Sequence, residues 1–165
     1  MNSKTKKIVL TALFAALACV ATYIIRIPTP TNGYVNLGDC IVLMGGFVLG
    51  PVYGAIAGGV GSALCDLFSG YMIYVPATLI IKAIMALAAG KIYQKSKAKN
   101  TGTVIFAGLI GEIIMVAGYF LAEALFMGYG WGAAAGILSN VMQGVIGIAA
   151  AALLMPVMKK INKEI

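Results

Sequence analysis

Five ionisable side chains stand within stretches that are otherwise apolar: Asp39, Asp66, Lys82, Glu112 and Glu123. Placing a charge in a hydrocarbon interior costs a few kcal/mol or more, so each calls for a partner, a wet cavity or a ligand. Asn140 and Gln143 lie about one turn apart in a later apolar segment, and Asn36 precedes Asp39 by one short step. Near them in sequence fall Tyr34, Tyr71, Tyr74, Tyr119 and Trp131, flat side chains suited to stacking on a heteroaromatic ring. Carboxylates, one ammonium, amides and aromatics describe a pocket for a small, polar, ring-containing solute. They do not describe catalysis. The chain has no histidine, no nucleophile elbow and no metal-ligand spacing, so neither an enzyme, a metal nor a cofactor is expected. A G-x-x-x-x-G-K-S/T phosphate loop is absent as well, which removes ATP hydrolysis by that route.

Each of these residues has a plainer reading. Interfacial Tyr34, Tyr74 and Trp131 are ordinary membrane anchors. Lys82 has the option of pairing with Asp66 or snorkelling to the surface, and Asp39 of capping the helix it begins. Glu123 has the option of facing water, and Asn140 and Gln143 of joining helices. Cys19, Cys40 and Cys65 are unpaired in spacing and read as small packing residues.

The elements that must position these groups are membrane helices. Hydrophobic residues make up 61% of the 165 and charged residues 10%, with a mean hydropathy of +0.98, which excludes a water-soluble fold. Ile8 to Ile25, Cys40 to Cys65 and Ala124 to Met158 are uncharged runs long enough for one or more crossings of roughly 20 residues each. The basic start resembles a secretory signal, but hydrophobicity continues past Cys19 and no polar segment follows, so the first helix is expected to be retained. The net charge of +7 is confined to segment edges, unlike the accessible basic face of a nucleic-acid binder.

Lysines gather at Lys4 to Lys7, at Lys91, Lys95, Lys97 and Lys99, and at Lys159, Lys160 and Lys163. The positive-inside rule sets all three clusters in the cytoplasm, which requires an even number of crossings between successive clusters. Four plus two fits. Pro28 and Pro30 follow the first run, Gly50-Pro51 divides the second, and Pro76 opens the next. The expectation is an all-α integral membrane protein, one domain over 1–165. Its six helices run near 8–26, 38–49, 51–69, 76–93, 103–126 and 132–158, with both termini cytoplasmic. The second helix is short, and the connection Ile27 to Leu37 is expected to fold partly inward.

At about 1.5 Å per residue, Asp66 lies about 22 Å above the inner start of its helix and Lys82 about 9 Å below the outer start of its own. Glu112 falls about 14 Å in from the cytoplasm, Glu123 about 30 Å, and Asn140 and Gln143 about 12 to 17 Å from outside. Polarity therefore collects toward the outside. The pocket opens outward, with no polar path through. Glu112, Tyr119 and Glu123 share one helical stripe, and Ser62, Asp66 and Ser69 another. Gly46, Gly50, Gly54 and Gly58 recur every four residues, followed by Gly61, and Ala12 and Ala16 form a similar stripe; small residues at this spacing serve either internal packing or docking of a partner helix.

Six helices with cytoplasmic ends, the segment T-A-L-F-A-A-L-A with Ala12 and Ala16, and the stretch Asn36 to Leu67, N-L-G-D-C-I-V-L-M-G-G-F-V-L-G-P-V-Y-G-A-I-A-G-G-V-G-S-A-L-C-D-L, together resemble the substrate-binding S components of energy-coupling factor (ECF) vitamin transporters. The resemblance covers essentially the whole chain. It implies a multi-pass subunit of a prokaryotic cell membrane that captures a vitamin outside, docks through Ala12 and Ala16 on a transmembrane T component driven by two cytoplasmic ATPases, and topples with its ligand. It also implies that Ile27 to Leu37 covers the ligand. Pyridoxine- or hydroxymethylpyrimidine-type substrates rank first and riboflavin next. The burial argument nominates Asn36, Asp39, Asp66, Tyr74, Lys82, Glu112, Tyr119, Asn140 and Gln143 as ligand contacts. A self-sufficient ion-coupled carrier using Glu112, or a non-transporting membrane scaffold, are the alternatives.

Overall fold

The computed structural model describes the backbone of residues 3–29, 31 and 34–164, and the side chains of 4–29, 31 and 34–159. Pro30, and the side chains of Lys160 and Lys163, lie outside the described residues.

Among the described residues six α-helices follow one another: α1 (Ser3–Ile24), α2 (Gly38–Leu49), α3 (Pro51–Phe68), α4 (Val75–Lys95), α5 (Thr101–Leu125) and α6 (Ile137–Glu164). Five are long and apolar enough to cross a membrane, and α2 is a shorter apolar helix. The connection after α1 departs from the all-α expectation, because β1 (Arg26–Pro28) pairs antiparallel with β2 (Tyr34–Asn36), setting Arg26 opposite Asn36. Pro28, which cannot sit inside a helix, belongs to the extended first strand of this ribbon. Before α6 the glycine-rich stretch Gly130–Gly136 winds as a 3-10 helix, so the α-helix starts at Ile137 and not near 132. Likewise α1 starts at Ser3, taking Lys4, Lys6 and Lys7 into its first turns.

The break between α2 and α3 has a local cause. Gly50 adopts φ 88°, a left-handed conformation that ends α2, and Pro51 occupies the first turn of α3, where no backbone donor is needed. Asn100 opens α5 by accepting from the Thr103 backbone N–H at 3.0 Å.

The glycine stripe packs inward. A Cβ on Gly54 would come within 2.5 Å of the Gly46 backbone, and one on Gly46 within 2.5 Å of the Ala86 carbonyl oxygen. Gly61 lies as tightly against the Ala15 backbone. These approaches bring α3 against α1 and α2, and α2 against α4, gaining dispersion contacts in place of a hydrophobic drive that lipid does not supply. Leu43, Phe47, Met85 and Met115 fill the centre and are fully buried. Ile8, Leu17, Phe106, Ile113 and Leu153 are exposed around the outside.

The two ends of the bundle differ. At one, Lys99 and Lys159 each stand 5.8 Å from the Tyr93 ring and Lys7 is 5.6 Å from Tyr53. At the other sit the ribbon, the start of α4, the end of α5 and the 3-10 helix.

Candidate substrate site

The ribbon end encloses a polar cavity lined by Asn36, Asp66, Tyr74, Lys82, Tyr119, Asn140 and Gln143, together with Thr22, Thr29, Tyr34, Ser62, Thr78 and Glu123. Seven of the nine nominated residues thus meet at one place. Asp39 and Glu112 do not line it; they lie behind.

Asp39 is fully buried and forms an ion pair with Lys82. That rules out two of the plainer readings. Lys82 neither pairs with Asp66 nor snorkels, and Asp39 does not cap α2, whose N-cap is Leu37 without a side-chain bond. The second Asp39 oxygen accepts from Gln143 Nε2 at 2.6 Å. A carboxylate can only accept, so the Gln143 amide nitrogen must face it, and its oxygen Oε1 is then free to accept from the Asn36 backbone N–H at 2.8 Å and from Asn36 Nδ2 at 3.2 Å. Asn36 Oδ1 in turn accepts from the Gly38 N–H at 2.8 Å. One continuous network therefore runs from Lys82 through Asp39 and Gln143 to the base of β2. It fixes the ribbon to the bundle.

Two further carboxylates face the ribbon. Asp66 accepts from the Tyr34 hydroxyl. Glu123, only 3% exposed and not facing water, accepts at Oε1 from the Thr31 hydroxyl at 3.0 Å. The Tyr74 hydroxyl donates to the Thr31 carbonyl at 2.6 Å and lies 3.2 Å from the same Glu123 oxygen. Burial, reinforced by the neighbouring Asp66, pushes the Tyr34 phenol up from its ordinary value, which keeps it a donor at physiological pH. Thr78 and Tyr119 hydroxyls are 3.0 Å apart, and the Lys82 ammonium stands 5.4 Å from the Tyr119 ring.

Tyr34, Tyr71, Tyr74 and Tyr119 form a connected wall, with successive ring centroids 4.7, 6.5 and 6.4 Å apart. Trp131 is not part of it. It is 88% exposed in the 3-10 helix. Glu112 is buried against Gly144 and Gly147 of α6, near Asp39, and both its oxygens lack a hydrogen bond.

The threonines Thr22, Thr29, Thr31 and Thr78 were the functional candidates that sequence reasoning missed. Thr78 alone carried a signal, one helical turn before Lys82.

An apolar multi-pass helical bundle closing a polar cavity at one end is a membrane protein built to hold a small solute. Residues 2–160 match the family described as ECF-type riboflavin transporter, S component, and the chain belongs to this family of transporter subunits, which are not enzymes. It is similar to the thiamine precursor transporter HmpT of Lactococcus lactis subsp. cremoris (strain MG1363), 31% identical over 162 residues, 96% of this chain and 91% of that protein. It is also similar to an uncharacterized protein from the gap 3′ region of Pyrococcus woesei, 36% identical over 130 residues, 78% of this chain and 85% of that protein. The fold matches a solved structure titled "Structure and mechanism of the S component of a bacterial ECF transporter", with a TM-score of 0.74 at 22% identity, covering 98% of this chain and 99% of the other.

Proposed function

We propose that this chain captures a small heteroaromatic B vitamin or vitamin precursor at the outer face of a prokaryotic cell membrane and delivers it through an ECF-type complex. It crosses six times with both termini in the cytoplasm. The observation that carries this reading is the polar cavity at the end of the bundle remote from Lys7, Lys99 and Lys159, since lysine-rich ends face the cytoplasm. The free space enclosed is about 30 Å³, on the scale of one or two waters. A ring therefore enters by displacing Tyr34 and Thr31, and a pyridoxine- or hydroxymethylpyrimidine-sized solute demands less displacement than riboflavin. The Lactococcus relative, a thiamine precursor transporter, supports the same order.

Asn36, Asp66, Tyr74, Lys82, Tyr119, Asn140 and Gln143 contact the solute, with Asp39 holding Lys82 in place and Glu112 behind it. Ala12 and Ala16 are exposed on α1 and form the docking stripe for a T component energised by two cytoplasmic ATPases. The test is uptake of labelled vitamins and precursors by cells expressing this chain with and without the ATPase module. Uptake only with the module is expected; full uptake by this chain alone would refute the capture-subunit reading.

A further inference from the structure

Four polar atoms on cavity-lining residues are buried without a hydrogen bond: Asp66 Oδ2, Glu123 Oε2, Ser62 Oγ and Thr22 Oγ1. Buried acceptors are rarely left open, because each forfeits its hydration without compensation. The parent residues Asp66, Glu123, Ser62 and Thr22 are 4%, 3%, 2% and 3% exposed. The arrangement is asymmetric in a telling way. On both carboxylates one oxygen is held by the ribbon, through Tyr34 on Asp66 and Thr31 on Glu123, while the other makes no hydrogen bond, with the Thr78 hydroxyl near Asp66 and Gly136 beside Glu123 Oε2.

Charge makes the same point. Among the described residues three charged side chains line the cavity, and two of them are the carboxylates Asp66 and Glu123. The third, Lys82, feels Asp66 but is ion-paired with Asp39 beneath the floor. Arg26 does not line the cavity; its guanidinium is 4.4 Å from the Tyr23 ring and 5.7 Å from that of Tyr34. Among the described residues no uncommitted cation lines the site. An anionic ligand would meet two carboxylates against a single ammonium that is already paired with Asp39.

Resting on the capture reading above, we infer that Asp66 and Glu123 are the specificity-determining residues of the site, and that they select a neutral or cationic heterocycle carrying N–H or O–H donors on two separate edges, such as an aminopyrimidine with a hydroxymethyl arm, against phosphate esters and carboxylates. One donor edge meets Asp66 Oδ2 and Ser62 Oγ, and the other meets Glu123 Oε2. Lys82 and the tyrosine wall hold the ring between them. A ligand lacking one donor leaves a buried carboxylate oxygen unpaired, the situation in which polar sites discriminate most strongly.

The experiment is calorimetric titration of the full-length protein in detergent. The panel comprises a 4-amino-5-hydroxymethylpyrimidine, its des-amino analogue, its phosphate ester, pyridoxine and riboflavin. The amino alcohol is expected to bind at least about tenfold more tightly than the des-amino analogue and at least about a hundredfold more tightly than the ester. In Asp66→Asn or Glu123→Gln, whose amides donate as well as accept, the preference for the amine over the des-amino form falls to about threefold or less in at least one variant. The wild-type panel stands even if a variant does not fold. Equal wild-type affinity for the amino and des-amino compounds, or for the alcohol and its ester, would overturn this inference alone. Absence of binding by every neutral ring would overturn the capture reading together with it.

Discussion

Gln143 donates to the Asp39 oxygen that Lys82 leaves open, across 2.6 Å, so a residue of α6 completes an ion pair made between α2 and α4. Removing one member of such a buried pair strands the other. Asp39→Asn is expected to lower stability by about 3–5 kcal/mol, because Lys82 then loses its one directly paired carboxylate at a buried site. The double variant Asp39→Asn, Lys82→Met should recover most of that loss. Thermal unfolding in detergent of the single and double variants measures it, and equal destabilisation by both would contradict the pairing.

The pair was only half legible in the sequence. Asp39 and Lys82 stood out because a charge in an apolar run is rare, yet which carboxylate Lys82 meets depends on the crossing of α2 and α4, which no local pattern encodes. The helices themselves were readable from apolar length and from Gly50-Pro51. The ribbon was not, because three-residue strands leave no periodicity. Threonines such as Thr22 and Thr31 were invisible for a different reason: an uncharged β-branched residue in or beside a membrane helix has no unusual cost to betray it.

Close packing of α2 on α3 yields a second expectation. Gly54→Val would drive branched carbons into the Gly46 backbone, and the two helices must separate to admit them. A loss of about 1–3 kcal/mol is expected, or failure to accumulate in the membrane. Gly132, which has open space around its Cα, is the control: Gly132→Ala should behave as wild type in the same unfolding assay.

The ribbon is held to α5 at one principal point. Thr31 donates to Glu123 at 3.0 Å and accepts from Tyr74 through its carbonyl. Thr31→Ala keeps the carbonyl contact but removes the bond to Glu123, together with the 3.3 Å contact to the Thr29 hydroxyl, a change of about 1–3 kcal/mol dominated by the buried carboxylate acceptor. The ribbon covers the cavity, so the expected signature is faster ligand release in stopped-flow measurement, with the association rate changed less.

Ala12 and Ala16 are exposed on α1, away from the cavity. Leucine at both positions adds bulk to the outer surface and touches none of the lining residues. The double variant Ala12→Leu, Ala16→Leu is therefore expected to bind its solute as wild type and to lose uptake, with co-purification of the T component reduced at least about tenfold. Loss of solute binding would mean instead that the stripe supports the fold.

Glu112 separates a capture subunit from an ion-coupled carrier. Its carboxyl group lies between Gly144 and Gly147, beside Asp39, with neither oxygen hydrogen-bonded and no place in the cavity lining. A carrier driven by protons or sodium would route its ion through this group, and Glu112→Gln would abolish the gradient dependence of uptake. A capture subunit makes no such demand. Glu112→Gln places an amide donor beside the Asp39 carboxylate in place of a second acid, so stability should be unchanged or raised by up to about 3 kcal/mol, the upper end for a hydrogen bond to a charged group. Uptake by the ATPase-energised complex should then continue at close to the wild-type rate in Glu112→Gln, with and without an imposed proton or sodium gradient.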